Sequence, residues 1–327
     1  MDKLKDIIIL MVPRILGGIN RDDKTSTYGC GDRYFWNYKL HDLSNARFQE
    51  ACLLLALLHE CNFDGNIYFR NNKILKWSIG IIEFWLSTLH KGYFSEVYPF
   101  ERSTCATSFS TFAVSEALII LGSNSGQETV ADFMKKTYFT DKLFDIGIWL
   151  GKNFNRKVAN QMAAAMLSLY NIYIFTKEDI FREKAKELFA VLQENYRLNG
   201  YFPEYGGLDI GYLSITNSCL AWYADKIGNE QSVLGMIDGV NRLLEQRIDD
   251  TGNYDFTSTS RNTQFLYTYG FYKTKSPVLE KILNGISLYK IITPLWMDDR
   301  YCIAMTIDYM KTYTEYMKDK AYVAKGT

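Results

Sequence analysis

The sequence predicts an all-α protein, built as an (α/α)6 toroid in which six helical hairpins surround a central funnel. Apolar residues recur at helical spacing along most of the 327 residues, whereas the alternation that marks strands is scarce. Loops that combine glycine, aromatic and charged residues recur as well, each followed by an apolar helix. Gly92, Gly200 and Gly252 each begin such a loop, and they are 108 and 52 residues apart. Counting at an interval of roughly 54 residues places three further loops, the first at 28–49, the third near 153–165 and the sixth at 296–304 (WMDDRYCIA), so that the loops from Gly92, Gly200 and Gly252 are the second, fourth and fifth. One interval has room for two helices, so six repeats predict six hairpins.

Nine segments are predicted as helices from the spacing of their apolar residues. Several, such as ACLLLALL at 51–58, are apolar almost all round, which is typical of helices buried on most faces. In chain order the predicted helices are 46–59, 74–89, 110–121, 158–175, 180–196, 213–227, 233–246, 278–289 and 303–316. The alternative is an open helical solenoid in which the aromatic residues only pack. Closure is favoured because the loops carry charges that a core would exclude, among them Arg33, Glu101, Arg102, Glu204 and Arg261.

The chain is predicted to be one domain over residues 1–327, with residues 1–27 as a lead-in segment. Only five prolines occur, none is expected inside a helix, and no Pro- or Ser-rich linker divides the chain. The apolar run at 7–12 is short and is flanked by Asp6 and Arg14, so we interpret it as part of a mature N-terminus and not as a signal peptide. No window has the length of a transmembrane helix, and the expectation is a cytoplasmic protein without a membrane span.

Charge balance and residue usage argue against several classes of function. The chain has 37 basic and 37 acidic side chains, which disfavours a broad nucleic-acid or polybasic membrane surface. The six cysteines form no CxxC pair, and only three histidines occur, so neither a zinc site nor a disulfide framework is expected. No ligand spacing calls for a divalent ion at Asp32, Asp42 or Asp209. No metal or cofactor is predicted, and the P-loop, GxGxxG, GxSxG and HExxH motifs are absent.

The first loop, at 28–49, is the densest in polar and aromatic side chains. Arg33 is suited to hold a carboxylate or phosphate through a bidentate fork. Trp36 can stack on a sugar face, and His41, with Asp42 beside it, is the histidine best placed for proton transfer. The alternative is an Asp–Arg–His network that only pins the loop. Two further members of the predicted binding set are Asp32 and Lys39.

The second and fifth loops each offer an arginine. Glu101 and Arg102 are adjacent and point to different sides, with a structural salt bridge as the alternative. Arg261 and Gln264 are three residues apart, which predicts a shared helix face. In the third loop, two amides suited to hydroxyls or a carboxylate precede a small-residue helix, namely Asn160 and Gln161.

The fourth loop, GYFPEYGGLDIGY at 200–212, provides two carboxylates and two tyrosines between glycines. Glu204 stands among aromatic residues, where desolvation would raise its pKa and let it act as an acid. Asp209 is a catalytic candidate or, alternatively, the cap of the following helix. Tyr205 and Tyr212 are candidates for proton transfer and binding. The glycines permit positive φ and close backbone approach.

Four segments together resemble proteins of bacterial surface-polysaccharide gene clusters, which are grouped loosely with heparinase II/III-like or six-hairpin glycosidase-like toroids. These segments are DRYFWNYKLHDLSNARFQ, YPFERSTCATSFS, VANQMAAAMLSLY and GYFPEYGGLDIGYLSIT. The resemblance covers roughly residues 28–310. It implies abstraction of the C5 proton of a uronate, with Asn160 or Arg261 as neutraliser of the carboxylate. Under the same resemblance, Tyr205, Tyr212 or His41 would act as base and acid.

The predicted function is therefore a carbohydrate-active enzyme, a lyase or C5-epimerase, for an acidic polysaccharide or its precursor. One alternative is a glycoside hydrolase with a carboxylate pair, drawn from Glu101, Glu204, Asp32 and Asp209. The pair separation would be about 5 Å for retention and roughly 6.5–9.5 Å for inversion. A second alternative is a non-catalytic glycan-binding or assembly protein. A terpenoid-cyclase-like toroid is disfavoured, because MDDR at 297–300 matches its acidic motif poorly.

Overall fold

The computed structural model describes residues 1–31, 45–96, 98, 101–124, 126–297 and 300–326. These residues form thirteen α-helices and three short 3-10 helices, and among them no strand occurs beyond isolated bridges. The all-α prediction is confirmed. The α-helices are α1 (Asp2–Gly17), α2 (Ala51–Glu60), α3 (Asn72–Ser87), α4 (Thr104–Gly122), α5 (Gln127–Thr137), α6 (Phe139–Leu150), α7 (Ala159–Thr176), α8 (Asp179–Asn199), α9 (Ile210–Lys226), α10 (Gln231–Glu245), α11 (Tyr269–Lys273), α12 (Val278–Ser287) and α13 (Tyr301–Gly326). The 3-10 helices are Ala46–Glu50, Phe256–Ser258 and Pro294–Trp296.

Each of the nine predicted helices has a counterpart, and α1, α5, α6 and α11 are additional. In α1, buried residues recur at positions 4, 7, 8, 11, 12, 15 and 16, the helical spacing of a core-facing stripe. The expectation that no proline lies inside a helix is wrong, because Pro13 is within α1. Its side chain is exposed, so the carbonyl that loses its hydrogen-bond partner remains near solvent.

Six of the helices contact one another in chain order. Helix α2 contacts α4, α4 contacts α7, α7 contacts α9, α9 contacts α11, α11 contacts α13, and α13 contacts α2. Each of the six follows one of the six loops identified in the sequence. Helices α2, α4, α7 and α9 are buried on nearly every face. Helices α3, α8 and α10 bury one face against α2, α7 and α9, and α12 buries one face against α1, α10 and α11. Helix α1 packs on α13 and α12.

Helix α4 shows how these central helices bury polar residues. The hydroxyl groups of Ser110 and Ser115 donate to the carbonyl oxygens of Ala106 and Thr111, one turn earlier, at 2.6 Å. The indole N–H of Trp85 donates to Ser110 at 2.9 Å. In the described part of the chain, α4 alone is long and apolar enough to cross a membrane, and 72% of its apolar window is buried inside the protein. Such burial is expected of a core helix.

Described residues of α2, α4, α9 and α13 line a cavity of about 50 Å³, and most of its lining is apolar, for example Leu53, Phe112, Trp222 and Ile307. This cavity has room for one or two water molecules and not for a sugar ring.

Residues 259–268 form an irregular segment before α11, and the predicted shared helix face of Arg261 and Gln264 is wrong. The backbone groups of this segment bond to other elements instead of to each other. The N–H of Arg261 donates to Asp209 at 3.1 Å, and the N–H of Tyr267 donates to Ser214 at 2.9 Å. The phenol of Tyr254 donates to the carbonyl of Thr263 at 2.8 Å. Because these backbone groups bond to α9 and to the loop before it, they do not form the regular hydrogen bonds of a helix.

Candidate ligand site at the loop end of the helices

Glu204, the first candidate acid, is a helix cap. Its side chain is 0% exposed. One carboxylate oxygen accepts the backbone N–H of Asn160 at 2.6 Å, and the other accepts the Asn160 side-chain amide at 2.9 Å. Thr216 donates to the same carboxylate at 3.3 Å. Val158, the N-cap residue of α7, makes no side-chain cap hydrogen bond. Glu204, which lies in the fourth loop, instead accepts a backbone N–H group from the first turn of this helix. Burial raises the pKa of Glu204 to about 8, although the donors from Asn160 and Thr216 act against this.

Asp209 also caps a helix. It is fully buried and accepts the N–H of Tyr212, in the first turn of α9, at 3.0 Å. The same carboxylate accepts the N–H of Arg261 and the hydroxyl of Thr263, so it fixes the fifth loop against the fourth. Asp209 therefore caps α9, which is the role predicted from the sequence as the alternative to catalysis. Its carboxylate oxygens accept hydrogen bonds from α9 and from the fifth loop.

Tyr205 stands at the tip of a tight turn. The backbone groups of Glu204 and Gly207 bond to each other in both directions, and the two residues between them have φ of 51° and 86°. Positive φ at both central positions is a type I′ turn, which needs a glycine such as Gly206 at its second position. A tyrosine with positive φ is uncommon, and its side chain is 43% exposed. The turn projects the ring outward from the loop end.

Four aromatic side chains form a continuous surface that we call the aromatic row: Tyr205, Tyr212, Phe265 and Tyr301. The ring centroids of Tyr205 and Tyr212 are 6.2 Å apart, those of Tyr212 and Phe265 are 5.7 Å apart, and those of Phe265 and Tyr301 are 5.5 Å apart. The phenolic oxygens of Tyr212 and Tyr301 are 3.1 Å apart, within hydrogen-bond distance. The row joins residues from the fourth, fifth and sixth loops, which are far apart in sequence.

An arginine lies at each end of the aromatic row. The guanidinium carbon of Arg261 is 4.1 Å from the ring centre of Tyr205, and that of Arg300 is 5.1 Å from the ring centre of Tyr301. Arg261 is exposed and makes no ion pair with any residue that the structure describes. Arg300 pairs with Glu96 at 2.5 Å, and Glu96 also accepts the hydroxyl of Ser103, the N-cap of α4, at 3.1 Å. The sixth loop is thereby tied to the second.

Two of the tyrosine hydroxyls of the row, those of Tyr205 and Tyr212, are held in their protonated form. Burial and the neighbouring Tyr301 raise the pKa of Tyr212 far above its ordinary range. Burial also raises the pKa of Tyr205, against a lowering effect of Arg261. Near neutral pH these phenols are therefore protonated hydrogen-bond donors, and they are poor bases.

A buried ion pair connects the 3-10 helix Ala46–Glu50 to α4. The guanidinium of Arg47 donates to the carboxylate of Glu50 and to the sulfur of Cys105, the latter at 3.3 Å. The same guanidinium stacks over Phe109 at 4.3 Å. Burial raises the pKa of Glu50 against the attraction of Arg47, and burial raises the pKa of Cys105 to about 11. The Cys105 thiol is thus protonated at neutral pH and is not an activated nucleophile.

The remaining predicted residues lie at varied positions. The carboxylate of Glu101 accepts the backbone N–H groups of Glu96 and Tyr98 at 3.0 and 3.4 Å, which orders its own loop. Arg102 is exposed, with its guanidinium 5.9 Å from the ring of Tyr93. Asn160 is committed to Glu204, Gln161 is half-buried, and Gln264 is exposed on the outer side of the fifth loop. Outside the described residues lie Asp32, Arg33, Trp36, Lys39, His41 and Asp42.

The sequence predictions did not include Phe265, Arg300, Tyr301 or Glu96 among the site residues. A signal for two of them was present, because WMDDRYCIA was recognised as the sixth loop and places Arg300 beside Tyr301. No signal in the sequence connects Glu96 to Arg300, since the pair joins two loops about 200 residues apart. Within the described residues, no group of three or more His, Cys, Asp or Glu side chains is placed to hold a metal ion.

At the other end of the central helices, the charges neutralise one another. A pocket of about 330 Å³ is lined there by residues of α2, α4, α9 and α13. Lys311 pairs with Asp225 at 2.9 Å and with Glu315 at 2.8 Å, and it lies 4.2 Å over the ring of Trp222. Lys226 pairs with Glu116 at 2.5 Å. These groups have partners within the protein, which distinguishes this end from the exposed Arg261 at the loop end.

The described residues thus define an all-helical protein with a surface of tyrosines and arginines at one end of its central helices. No family model, no curated protein and no solved structure matches this chain. The function is therefore argued from the geometry of the site.

Proposed function

We propose that this protein is an (α/α)6 toroid whose loop end binds a uronate-containing acidic glycan or its precursor. The observation that carries the proposal is the aromatic row with Arg261 at one end, exposed and in no ion pair with a described residue, and Arg300, which is paired with Glu96, at the other. Tyrosine rings offer flat apolar faces on which sugar rings stack, and the hydroxyls and guanidinium groups pair with hydroxyl and carboxylate groups. A ligand that is both ring-shaped and anionic suits this surface better than a purely apolar one.

The toroid is supported by the order of helix contacts. The contacts run from α2 through α4, α7, α9 and α11 to α13, and α13 contacts α2 again. An open solenoid would leave its first and last central helices apart. In a toroid the six loops gather at one end, which agrees with the contacts between the fourth, fifth and sixth loops in the aromatic row.

The tight turn at Tyr205 fixes the position of this ring at the surface. A bulky side chain at positive φ costs free energy and persists only where the surroundings enforce it. Here the two backbone hydrogen bonds between Glu204 and Gly207 enforce it. The turn holds Tyr205 under the guanidinium of Arg261.

The reaction that fits the row best is proton abstraction at C5 of a uronate, by a lyase or epimerase of bacterial surface-polysaccharide metabolism. An arginine at the carboxylate would stabilise the negative charge that develops in the transition state. Tyr212, which is protonated, would donate to the departing sugar oxygen. The sequence makes His41 a candidate base, and this residue lies outside the described residues. Hydrolysis with a carboxylate pair is less suited, because Glu204 and Asp209 cap helices and Glu101 orders its loop.

The test compares polygalacturonate with the same polymer after methyl esterification, which keeps the sugar ring and removes the charge. We expect the protein to bind the acidic polymer at least about tenfold more tightly in calorimetry. Equal affinity for both polymers, or none for either, would contradict the proposal. Arg261→Gln should remove the preference, while Arg247→Gln, an exposed arginine after α10, should leave it unchanged.

Incubation of the protein with polygalacturonate, followed by analysis of the products, distinguishes the reactions. Ultraviolet absorbance of an unsaturated uronate indicates a lyase, and deuterium uptake at C5 from heavy water without cleavage indicates an epimerase. New reducing ends without that absorbance indicate hydrolysis, which would overturn the proposed chemistry. Binding with no chemical change indicates a glycan-binding or assembly protein.

A further inference from the structure

A groove of about 350 Å³ lies beside the aromatic row, between the fifth and sixth loops. It is lined by residues of the segments 252–266 and 290–296, among them Tyr254, Gln264, Lys290 and Trp296. Its volume falls within the range of about 300–1,000 Å³ that small-ligand pockets occupy. None of the residues described so far as part of the row lines this groove.

The groove and the row share one wall. Residues 263–267 are not helical, and their side chains alternate between the two sides of the segment. Phe265 contacts Tyr212 and Tyr301 of the row. Gln264 and Leu266 line the groove on the opposite side. An oligosaccharide bound along the row would therefore reach the groove by crossing only the segment 263–267.

The lining of the groove suits an anionic sugar. Trp296 is 57% exposed, so a flat ring remains open to the solvent where a ligand can stack on it. Asn253 and Gln264 offer amide groups to hydroxyls, and Lys290 offers a positive charge. Among the described lining residues there is no carboxylate, so an acidic ligand meets no repulsion from within the groove.

Both sides of the groove are fixed before any ligand arrives. The 3-10 helix Pro294–Trp296 is held from α1, because Arg14 donates to the carbonyl oxygens of Pro294 at 3.4 Å and Leu295 at 3.2 Å. The opposite side is held by the hydrogen bond from Tyr254 to Thr263 at 2.8 Å. A preorganised groove loses little conformational entropy on binding, which favours a genuine ligand site.

We infer that this groove is a subsite for a further sugar of the same acidic chain, so that the protein recognises an oligosaccharide and not a single uronate. This inference rests on the proposed function. The sugar would stack on Trp296, with its carboxylate toward Lys290 and its hydroxyls toward Gln264. The aromatic row and the groove together would then hold neighbouring parts of one glycan.

The test uses a length series of oligogalacturonates with the intact protein. For the wild type we expect the affinity to rise with chain length until both sites are filled. Trp296→Ala should lower the affinity for a hexasaccharide about tenfold and leave that for the shortest bound oligosaccharide within about twofold. Lys290→Gln should act in the same direction. Tyr322→Ala, which removes an aromatic ring that is 82% exposed on α13, is the matched control and should change neither affinity.

The possible outcomes separate the two proposals. If the wild type binds no oligogalacturonate and no polymer, the proposed function fails. If the wild type binds, the two variants test the subsite. The subsite is overturned if Trp296→Ala and Lys290→Gln lower the affinity equally for short and long oligosaccharides, or if they lower neither affinity. A circular dichroism melt of each variant shows whether the fold is retained, and Trp296→Phe, which keeps an aromatic face, should restore most of the affinity for long chains.

Discussion

Glu204 accepts hydrogen bonds from both the backbone N–H and the side-chain amide of Asn160, 44 residues earlier in the chain. A buried carboxylate of the fourth loop thus completes the start of α7, a helix whose own N-cap residue contributes no side-chain cap. The contact makes two neighbouring loops dependent on each other. It also gives the glutamate among these aromatic residues a structural role.

Glu204→Ala should destabilise the fold by about 2–4 kcal/mol, because it leaves the buried amide groups of Asn160 without an acceptor. The quantity to measure is the free energy of unfolding in urea. Glu178→Ala is the matched control, since Glu178 is the N-cap residue of α8 and makes no side-chain cap hydrogen bond. Its change should stay within about 0.5 kcal/mol. Equal losses in both variants would argue against the cap.

The buried Glu204 should also make stability depend on pH. Its pKa is raised from 4.5 to about 8, so the folded state holds the proton more tightly than the unfolded chain does. The contribution of the protonated carboxyl is therefore fully present below about pH 4.5 and is lost as the pH rises toward about 8. Glu204→Gln cannot titrate. The stability of this variant relative to the wild type should rise by on the order of 1–3 kcal/mol from pH 5 to pH 8.5. Parallel pH profiles for the two proteins would show that Glu204 is ionised throughout.

Gly211→Ala should disturb the wall between the row and the groove. A methyl group at this position would lie 2.9 Å from the carbonyl oxygen of Phe265 and would also press on Thr263. We expect a loss of about 1–3 kcal/mol in the free energy of unfolding and a weaker affinity for acidic oligosaccharides. Gly235→Ala, on the exposed face of α10 with open space around it, should instead stabilise by about 0.5–1 kcal/mol. A neutral effect of Gly211→Ala would mean that the segment yields without strain.

Tyr301→Phe separates binding from chemistry in the aromatic row. The ring contacts with Phe265 and Arg300 persist, but the phenol that lies 3.1 Å from the hydroxyl of Tyr212 is removed. Affinity for polygalacturonate should stay within about twofold, while the rate of formation of an unsaturated or epimerised product should fall about tenfold or more. An unchanged rate would exclude the phenol pair from the reaction. Tyr322→Phe, an exposed tyrosine on α13, is the control.

The sequence predicted the elements that depend on local patterns. Long helices such as α7 and α8 follow from apolar spacing, and the recurring loops follow from glycine and aromatic residues at a regular interval. Helix α11 escaped prediction because its five residues are too few for a period to show. Helix α6 escaped because it begins directly after α5, through Tyr138 at φ of 51°, without a glycine or proline to mark the boundary.

The site was predicted only in part, because its key contacts are not local. Tyr205, Tyr212 and Arg261 were predicted as site residues, and the structure places them in or beside the aromatic row. The capping role of Glu204 was missed because sequence rules for caps look within one turn of the helix start, whereas its partner is in another repeat. The three-residue spacing of Arg261 and Gln264 predicted a shared helix face, but the segment 259–268 is irregular because Asp209 and Ser214 accept hydrogen bonds from its amide groups.

The packing of α1 against α13 has a consequence for biosynthesis. Helix α13 is translated about 300 residues after α1, yet it contacts α1, α2 and α11. Until α13 has been synthesised, the parts of α1 and α2 that pack against it lack this partner, so the nascent chain exposes their apolar surface. We therefore expect α13 to join late in folding, after α1 and α2 have been exposed for the synthesis of the residues in between.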